Sequence, residues 1–307
     1  PAKMATILAR TGGDEFSIVM NTDGVREELA AIGQSIIDTL IQPMQVIEHQ
    51  LVVTPSIGIA VSPEHGSDPE TLLRHADAAM RAAKDDGRSQ LRIYDSTLDE
   101  DAALQLQLEV DLRIAMADDS DQLEVVYQPQ VDTANGRISG VETLIRWHHP
   151  TLGTVSPVDF IPMAERTGLI IPLGDWIIRR VHEDTIEAGE RFPRNVSISI
   201  NLSPLQFNQS NFVEHLYGTL KALDAKFDIE LELTEGVIMG AAEANLEKLK
   251  QLKAKGFLLA IDDFGTGYSS LSYLRRFPID TLKIDRSFIN DLDQPHGQGI
   301  VLAILSL

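Results

Sequence analysis

The apolar residues of this chain fall into short strand-like runs separated by helical stripes. Ile7 to Ala9 and Phe16 to Met20 flank the pair Gly12-Gly13. Because glycine accepts the positive φ angles of a tight turn, this pattern predicts a β-hairpin. Val25, Leu29, Ile32, Ile36 and Leu40 recur at spacings of three or four, which predicts a helix over 24–41. Residues 51–61 predict a strand. Leu72, Leu73, Ala76, Ala79, Met80 and Ala83 share one face of a predicted helix over 69–84. A turn at Asp86-Gly87 leads into a short strand over 91–94. From Asp95 to Asp121 the chain turns acidic and helix-favouring, which predicts a helical linker over 96–121 with a solvated charged face.

Beyond 122 the pattern changes. Strand-like runs recur at 123–127, 138–145, 196–202, 229–234, 257–262 and 280–285, with helical stretches between most of them. Strands alternating with helices predict a largely parallel sheet or a (β/α) barrel. The fold class expected for the whole chain is therefore α/β.

The polar residues of this second part sit at strand ends. Asn201 ends one run, Glu232 and Glu235 close the next, Asp262 and Asp263 end a third, and Lys283 and Asp285 close a fourth. In a (β/α) barrel the C-terminal strand ends face the active site. Any one of these acids taken alone reads as a helix cap or loop residue. Four successive strand ends carrying Asn, Glu, Asp-Asp and Lys point instead to a shared site. Adjacent carboxylates repel unless a cation neutralises them, and an oxygen-rich set without cysteine suits Mg²⁺ or Mn²⁺ rather than zinc. His148 and His149 precede Pro150 in an apparent turn and read as a solvated pair. Gly-Thr-Gly at 265–267 is too short for a phosphate-binding fingerprint.

Composition narrows the function classes. The chain has 307 residues, no cysteine and a formal net charge of −20. No cysteine means no disulfide, thiolate zinc site or cysteine nucleophile, and fits a cytoplasmic protein. The acidic balance argues against a nucleic-acid partner, which needs a basic face. No run of apolar residues in this chain is long enough to span a membrane, and no signal peptide is visible.

At these residues the second part resembles the EAL domain family. Tyr127-Gln128-Pro129-Gln130 is similar to its opening strand and Glu142-Thr143-Leu144-Ile145-Arg146-Trp147 to its signature strand, with Thr143 where alanine is usual. Ser199 to Pro204, Glu232-Leu233-Thr234-Glu235, Asp262 to Leu271 and Leu282-Lys283-Ile284-Asp285 resemble its successive motifs. The resemblance implies hydrolysis of cyclic di-GMP to linear pGpG with two divalent cations, Mg²⁺ or Mn²⁺. It implies metal ligation by Glu142, Asn201, Glu232, Asp262 and Asp263. Lys283 would position the attacking water and stabilise charge, and Glu235 would hold the Asp-Asp loop. Gln128, Arg146, Leu144 and Asp263 would contact the ligand.

The first part resembles a GGDEF domain, from Gly12-Gly13-Asp14-Glu15-Phe16 through Ser56 to Ala60, Ala76 to Met80, and Ala83-Lys84 to Gly87-Arg88. The family cyclises GTP. The resemblance implies a nucleotide and metal remnant at Gly12, Gly13, Asp14, Glu15, Lys84 and Arg88, with GTP as a partner there. The expected layout is a partial GGDEF α/β sandwich over 1–95, the linker over 96–121, and an incomplete TIM-like EAL barrel over 122–307 lacking its last strands. The upstream metal-binding aspartate of the GGDEF family is not in this chain, so no cyclase activity is expected from it. The family's RxxD product site falls at Lys3-Met4-Ala5-Thr6 and does not match, and Arg81 stands where tyrosine is common. The family often works as homodimers, and a membrane-tethering region upstream is compatible with a cytoplasmic catalytic part. Three readings of function stay open: a phosphodiesterase, a non-catalytic cyclic di-GMP receptor, and a silent structural remnant.

Overall fold

A computed structural model of the chain describes residues 6–21, 26–47, 49–85, 87, 89–117, 120–189, 196–224, 227–240, 242–265, 274–293 and 295–306. Arg88, the residues Lys3 to Ala5, Asp86 of the expected turn, and the motif residues Thr266 to Leu271 lie outside that set. The chain divides into two compact units, Pro1–Leu106 and Gln107–Leu307.

In the first unit β1 (Thr6–Gly12) pairs antiparallel with β2 (Glu15–Met20), the hairpin expected from the Gly-Gly pair. Helix α1 (Arg26–Leu40) buries Leu29, Gly33 and Ile37. The single strand expected over 51–61 is instead two pieces. Strand β3 (Met44–Val46) pairs with β4 (His49–Leu51), which stops at Leu51, and β5 (Ile57–Ile59) starts afresh. Pro55 lies in the gap, and proline has no N–H to give a ladder. Strand β5 runs parallel to β6 (Leu91–Ile93), and α2 (Pro69–Asp85) is the crossover between them. Ala79 and Ala83 on α2 are fully buried. Opposite them Gly58 lets the helix come down onto the strand: a Cβ there would lie 2.0 Å from the carbonyl oxygen of Ala76 and 2.2 Å from the amide of Met80.

Helix α3 (Thr97–Ala115) forms where the linker was expected, but its charge run does not make it a solvated rod. Leu108, Leu112 and Ala115 recur on one stripe and are buried with Trp147, Phe160 and Met163. Acidic residues occupy the other faces, so counting charge alone hides the buried stripe.

The second unit is built on one sheet. Strand β7 (Leu123–Val131) is antiparallel to β8 (Ile138–His149), which also pairs with the short β9 (Gly153–Val155). Then β10 (Ser197–Asn201), β11 (Asp228–Thr234), β12 (Leu258–Phe264) and β13 (Thr281–Ile284) follow in parallel, giving the order β13-β12-β11-β10-β8-β7. The crossovers are α4 (Pro157–Thr167) with α5 (Ile170–Ala188), α6 (Pro204–Phe207) with α7 (Phe212–Asp224), and α8 (Glu235–Gly240) with α9 (Ala242–Ala254). Helices α10 (Arg286–Asn290) and α11 (Pro295–Leu305) follow β13.

Alternation along these strands explains the burial. Ile198 and Ile200, Ile229, Leu231 and Leu233, and Leu259 and Ile261 form one core with Leu216, Leu220, Leu249 and Leu252 of the helices. The residues between them point to the other face, where β10 and β11 are polar (Ser199, Glu230 and Glu232) and β12 has the small Ala260. The same alternation corrects the expectation for the histidines. They lie in β8 rather than in a turn, and His149 shares the buried face of Trp147. Its Nε2 is 2.9 Å from Asp111 of α3, and its Nδ1 accepts from the amides of Thr151 and Leu152 at 3.2 and 3.1 Å. His148 stays exposed and contacts Glu124.

Substituting Gly58→Ala forces α2 away from β5, because the atoms met are backbone and cannot rotate aside. A loss of about 3 kcal/mol of first-unit stability is expected, read as faster hydrogen exchange of the α2 amides. Unchanged protection would refute the close approach.

Candidate functional site

The inner strand faces bring the strand-end residues together. Lys283 of β13 lies at the centre: its Nζ donates to Glu232 Oε2 of β11 at 2.6 Å and pairs with Glu142 of β8 at 3.2 Å and Asp262 of β12 at 3.5 Å. Asn201 at the end of β10 donates from Nδ2 to Glu142 Oε1 at 3.1 Å. Strands β8 and β13 are four steps apart in the sheet, which in a flat sheet is about 19 Å. A Lys–Glu contact across that distance requires the sheet to curl into the wall of a barrel.

Burial sets the electrostatics. Glu232 is 1 % exposed, and burial pushes its carboxyl up to about 7, against the hydrogen bond and charge of Lys283 that pull it down. For Lys283, burial favours loss of the proton, but the hydrogen bond it donates to Glu232 and the charges of Glu232, Asp262 and Glu142 outweigh it and hold the ammonium above its ordinary value. One ammonium thus faces three carboxylates. Among the described residues Glu232 Oε1 is buried with no hydrogen-bond partner.

The adjacent acids sit on a backbone irregularity. In a regular strand Asp262 and Asp263 would point to opposite faces. Here the register between β12 and β13 shifts between Ile261 and Phe264, and Asp263 adopts φ 52°, an uncommon left-handed conformation for a non-glycine residue. Burial, with the charges of Asp262 and Asp285, raises the Asp263 carboxyl above its ordinary value, and it shares a side-chain hydrogen bond with Asp285. Asp285 also caps α10 by accepting from the Ser287 amide at 2.9 Å. Next along the chain, Gly265 has φ 104°, and its amide donates to Glu235 Oε2 at 3.0 Å. Glu235, buried at the start of α8, therefore ties the end of the Asp-Asp strand to β11.

Gln128 lies directly opposite Glu142 in the β7–β8 register, so the two share a face. Leu144 and Arg146 follow Glu142 on that face, both half-buried, and Arg146 Nη1 donates to the Ile145 carbonyl at 2.8 Å. Thr143 points the other way. It is buried, and its Oγ1 donates to the Ser199 carbonyl at 2.8 Å, so this departure from the family pattern is satisfied without moving Glu142. In the first unit the hairpin holds Gly12, Gly13, Asp14 and Glu15 in one exposed turn, and Lys84 is on a different element, the last turn of α2.

Two participants escaped the sequence reading. In the sequence Asp285 is a strand-end residue with no visible role, and its bond to Asp263 depends on the register shift, which has no sequence mark of its own. Glu230 was passed over, although an acid two residues before Glu232 inside an apolar run is a period-2 signal that it shares the inner face.

Among the described residues no group of three or more acidic or histidine side chains is arranged to hold a metal as it stands. The donor chemistry nevertheless fits a hard divalent cation: the groups are oxygen ligands, their charge exceeds that of Lys283, and one buried oxygen has no partner. No described helix is long and apolar enough to cross a membrane.

A curved, mainly parallel β/α wall with acids, an asparagine and a lysine at its strand ends is the class of protein this fold and site define. The EAL domain family matches residues 109–307, and the diguanylate cyclase GGDEF domain family matches residues 2–90. The chain belongs to the EAL domain family, with a GGDEF-type segment ahead of the EAL domain. It is 40% identical over 98% of its length to the bifunctional diguanylate cyclase/cyclic di-GMP phosphodiesterase MucR of Pseudomonas aeruginosa, of which it covers 44%. It is 37% identical over 98% of its length to the cyclic di-GMP phosphodiesterase PdeR of Escherichia coli, of which it covers 45%. The chain thus spans less than half of these relatives. Among solved structures, that of the PaMucR phosphodiesterase in complex with c-di-GMP is 42% identical, with a TM-score of 0.59 over 65% of this chain and 81% of that one. The S helix-GGDEF-EAL structure of Vibrio cholerae LapD covers 97% of this chain and 70% of that one at a TM-score of 0.65, and at 19% identity it speaks to fold alone.

Replacing Lys283 by Met leaves the three carboxylates without their counter-charge. With divalent cations chelated, the second unit should lose on the order of 3 kcal/mol in denaturant unfolding. Wild-type stability would mean that the ammonium does not neutralise this cluster.

Proposed function

We propose that the EAL unit hydrolyses cyclic di-GMP to linear pGpG with divalent cations, Mg²⁺ or Mn²⁺, held at the strand ends. The observation that carries this reading is the convergence of Glu142, Glu232 and Asp262 on Lys283 with a buried carboxylate oxygen left unpartnered. Relatives named as cyclic di-GMP phosphodiesterases support it. Glu142, Asn201, Glu232, Asp262 and Asp263 would hold two cations. Such cations, when bound, would polarise the phosphodiester and acidify an attacking water.

The remaining roles follow from the chain's own groups. Lys283, held where Glu142, Glu232 and Asp262 converge, would position the attacking water and stabilise charge on the phosphate. Glu235 holds the Gly265 amide and so fixes where Asp262 and Asp263 end. Gln128, Leu144 and Arg146 line the face beside Glu142 and would receive the nucleotide, Arg146 by turning its guanidinium onto a phosphate. The reading extends to GTP at the Gly12–Glu15 turn, with Lys84 and Arg88 at its phosphates, to a second copy of the chain as partner, and to a cytoplasmic location, which the cysteine-free sequence supports.

The direct test is chromatography of cyclic di-GMP incubated with the purified protein and Mg²⁺. Release of pGpG, abolished by chelation and restored by Mg²⁺ or Mn²⁺, is expected. Binding without turnover would make the unit a receptor instead. Glu142→Ala should lower turnover at least about a hundredfold with an unchanged circular dichroism spectrum; near wild-type turnover would remove Glu142 from the ligand set.

A further inference from the structure

Directly beneath the site lies a second polar layer. Ser199 Oγ donates to Glu230 Oε2 at 2.8 Å, and Thr281 Oγ1 donates to Glu230 Oε1 at 2.6 Å. Ser199 is fully buried and Glu230 is 5 % exposed. Each of the three stands two residues before a member of the site on its own strand, and therefore on the same face: Ser199 before Asn201, Glu230 before Glu232, Thr281 before Lys283. Strand β10 adjoins β11, but β13 lies beyond β12. The Glu230 carboxylate reaches it past Ala260, the small residue in register with Thr281.

We propose that Glu230 is a positioning residue whose carboxylate ties β10 to β13 and so fixes the separation of Asn201, Glu232 and Lys283; the proposal rests on the phosphodiesterase reading of that site. A carboxylate suits the task because it offers one acceptor oxygen to each hydroxyl. Cohesion alone does not call for it, since a buried ionisable group is often replaced by an apolar one with no loss of stability. What the apolar residue cannot do is set the distance between two strands that do not pair with each other. Thr143 works beside it: its bond to the Ser199 carbonyl ties β8 to β10 next to Glu142.

The test compares Glu230→Leu, Glu230→Gln and Thr281→Val with the wild-type protein. Four quantities are read: kcat and KM for cyclic di-GMP, Mn²⁺ affinity by calorimetry, and thermal unfolding. Glu230→Leu should lower kcat and weaken Mn²⁺ binding by about 10- to 100-fold with little change in KM, as loss of a supporting shell does. Glu230→Gln keeps the bridge once one hydroxyl turns to accept from the amide, and should remain within about threefold of wild type on all readouts. Wild-type kcat and Mn²⁺ affinity in a folded Glu230→Leu protein overturn the proposal. If that variant does not fold, Thr281→Val removes one hydroxyl at constant volume and decides the matter on the same two readouts. A wild-type protein that binds Mn²⁺ but releases no pGpG defeats the phosphodiesterase reading, while the affinity comparison still judges Glu230. Wild-type protein that binds no Mn²⁺ overturns both.

Discussion

The inner faces of β8, β10, β11 and β13, with the end of β12, carry ionisable, amide and hydroxyl groups, and such groups stay buried only where charge or hydrogen bonds meet them. In the upper layer Lys283 meets them, touching acids on β8, β11 and β12. In the lower layer Glu230 does the same for two hydroxyls. Both sets of contacts join strands that are not neighbours, so they can form only if the sheet curves. Barrel curvature, burial of Glu232 and convergence of the site are therefore one physical condition rather than three.

Around that condition the backbone is adjusted locally. Asp263 takes a left-handed conformation, which departs from the regular strand alternation of consecutive acids, and the Gly265 amide is caught by Glu235. A Cβ on Gly265 would meet the Phe288 ring at 2.7 Å, so the turn is closed both by its φ and by packing. The capping box of Ser203 and Gln206 fixes the chain just after Asn201 in a similar way.

Much of this was legible in the sequence, because period-2 alternation and strand-end placement are local signals. The hairpin at Gly12-Gly13 and the parallel strands carrying Asn201, Glu232, Asp262 and Lys283 near their ends follow from such signals. Two of the failures share a cause. The pairing of His149 with Asp111 and the Ser199–Glu230–Thr281 bridge depend on partners far away in sequence, and no local pattern announces a partner, whereas the stripe of α3 was a local helical period masked by the acidic residues around it. The break between Leu51 and Ile57 is different: Pro55 was visible, and its missing N–H argued against one continuous strand.

The position of Lys283 also bears on the order in which the molecule assembles. The acids at Glu142, Glu232 and Asp262 are all synthesised before the lysine that neutralises them, and the contact from β8 to β13 encloses most of the second unit. Contacts of such long sequence separation form late in folding, since the loop entropy must be met first. A nascent chain therefore carries its acids as a mutually repelling, solvated set until β13 docks. The constellation that defines the site is completed only when β13 docks, although the Asn201–Glu142 contact needs no more than β8 and β10.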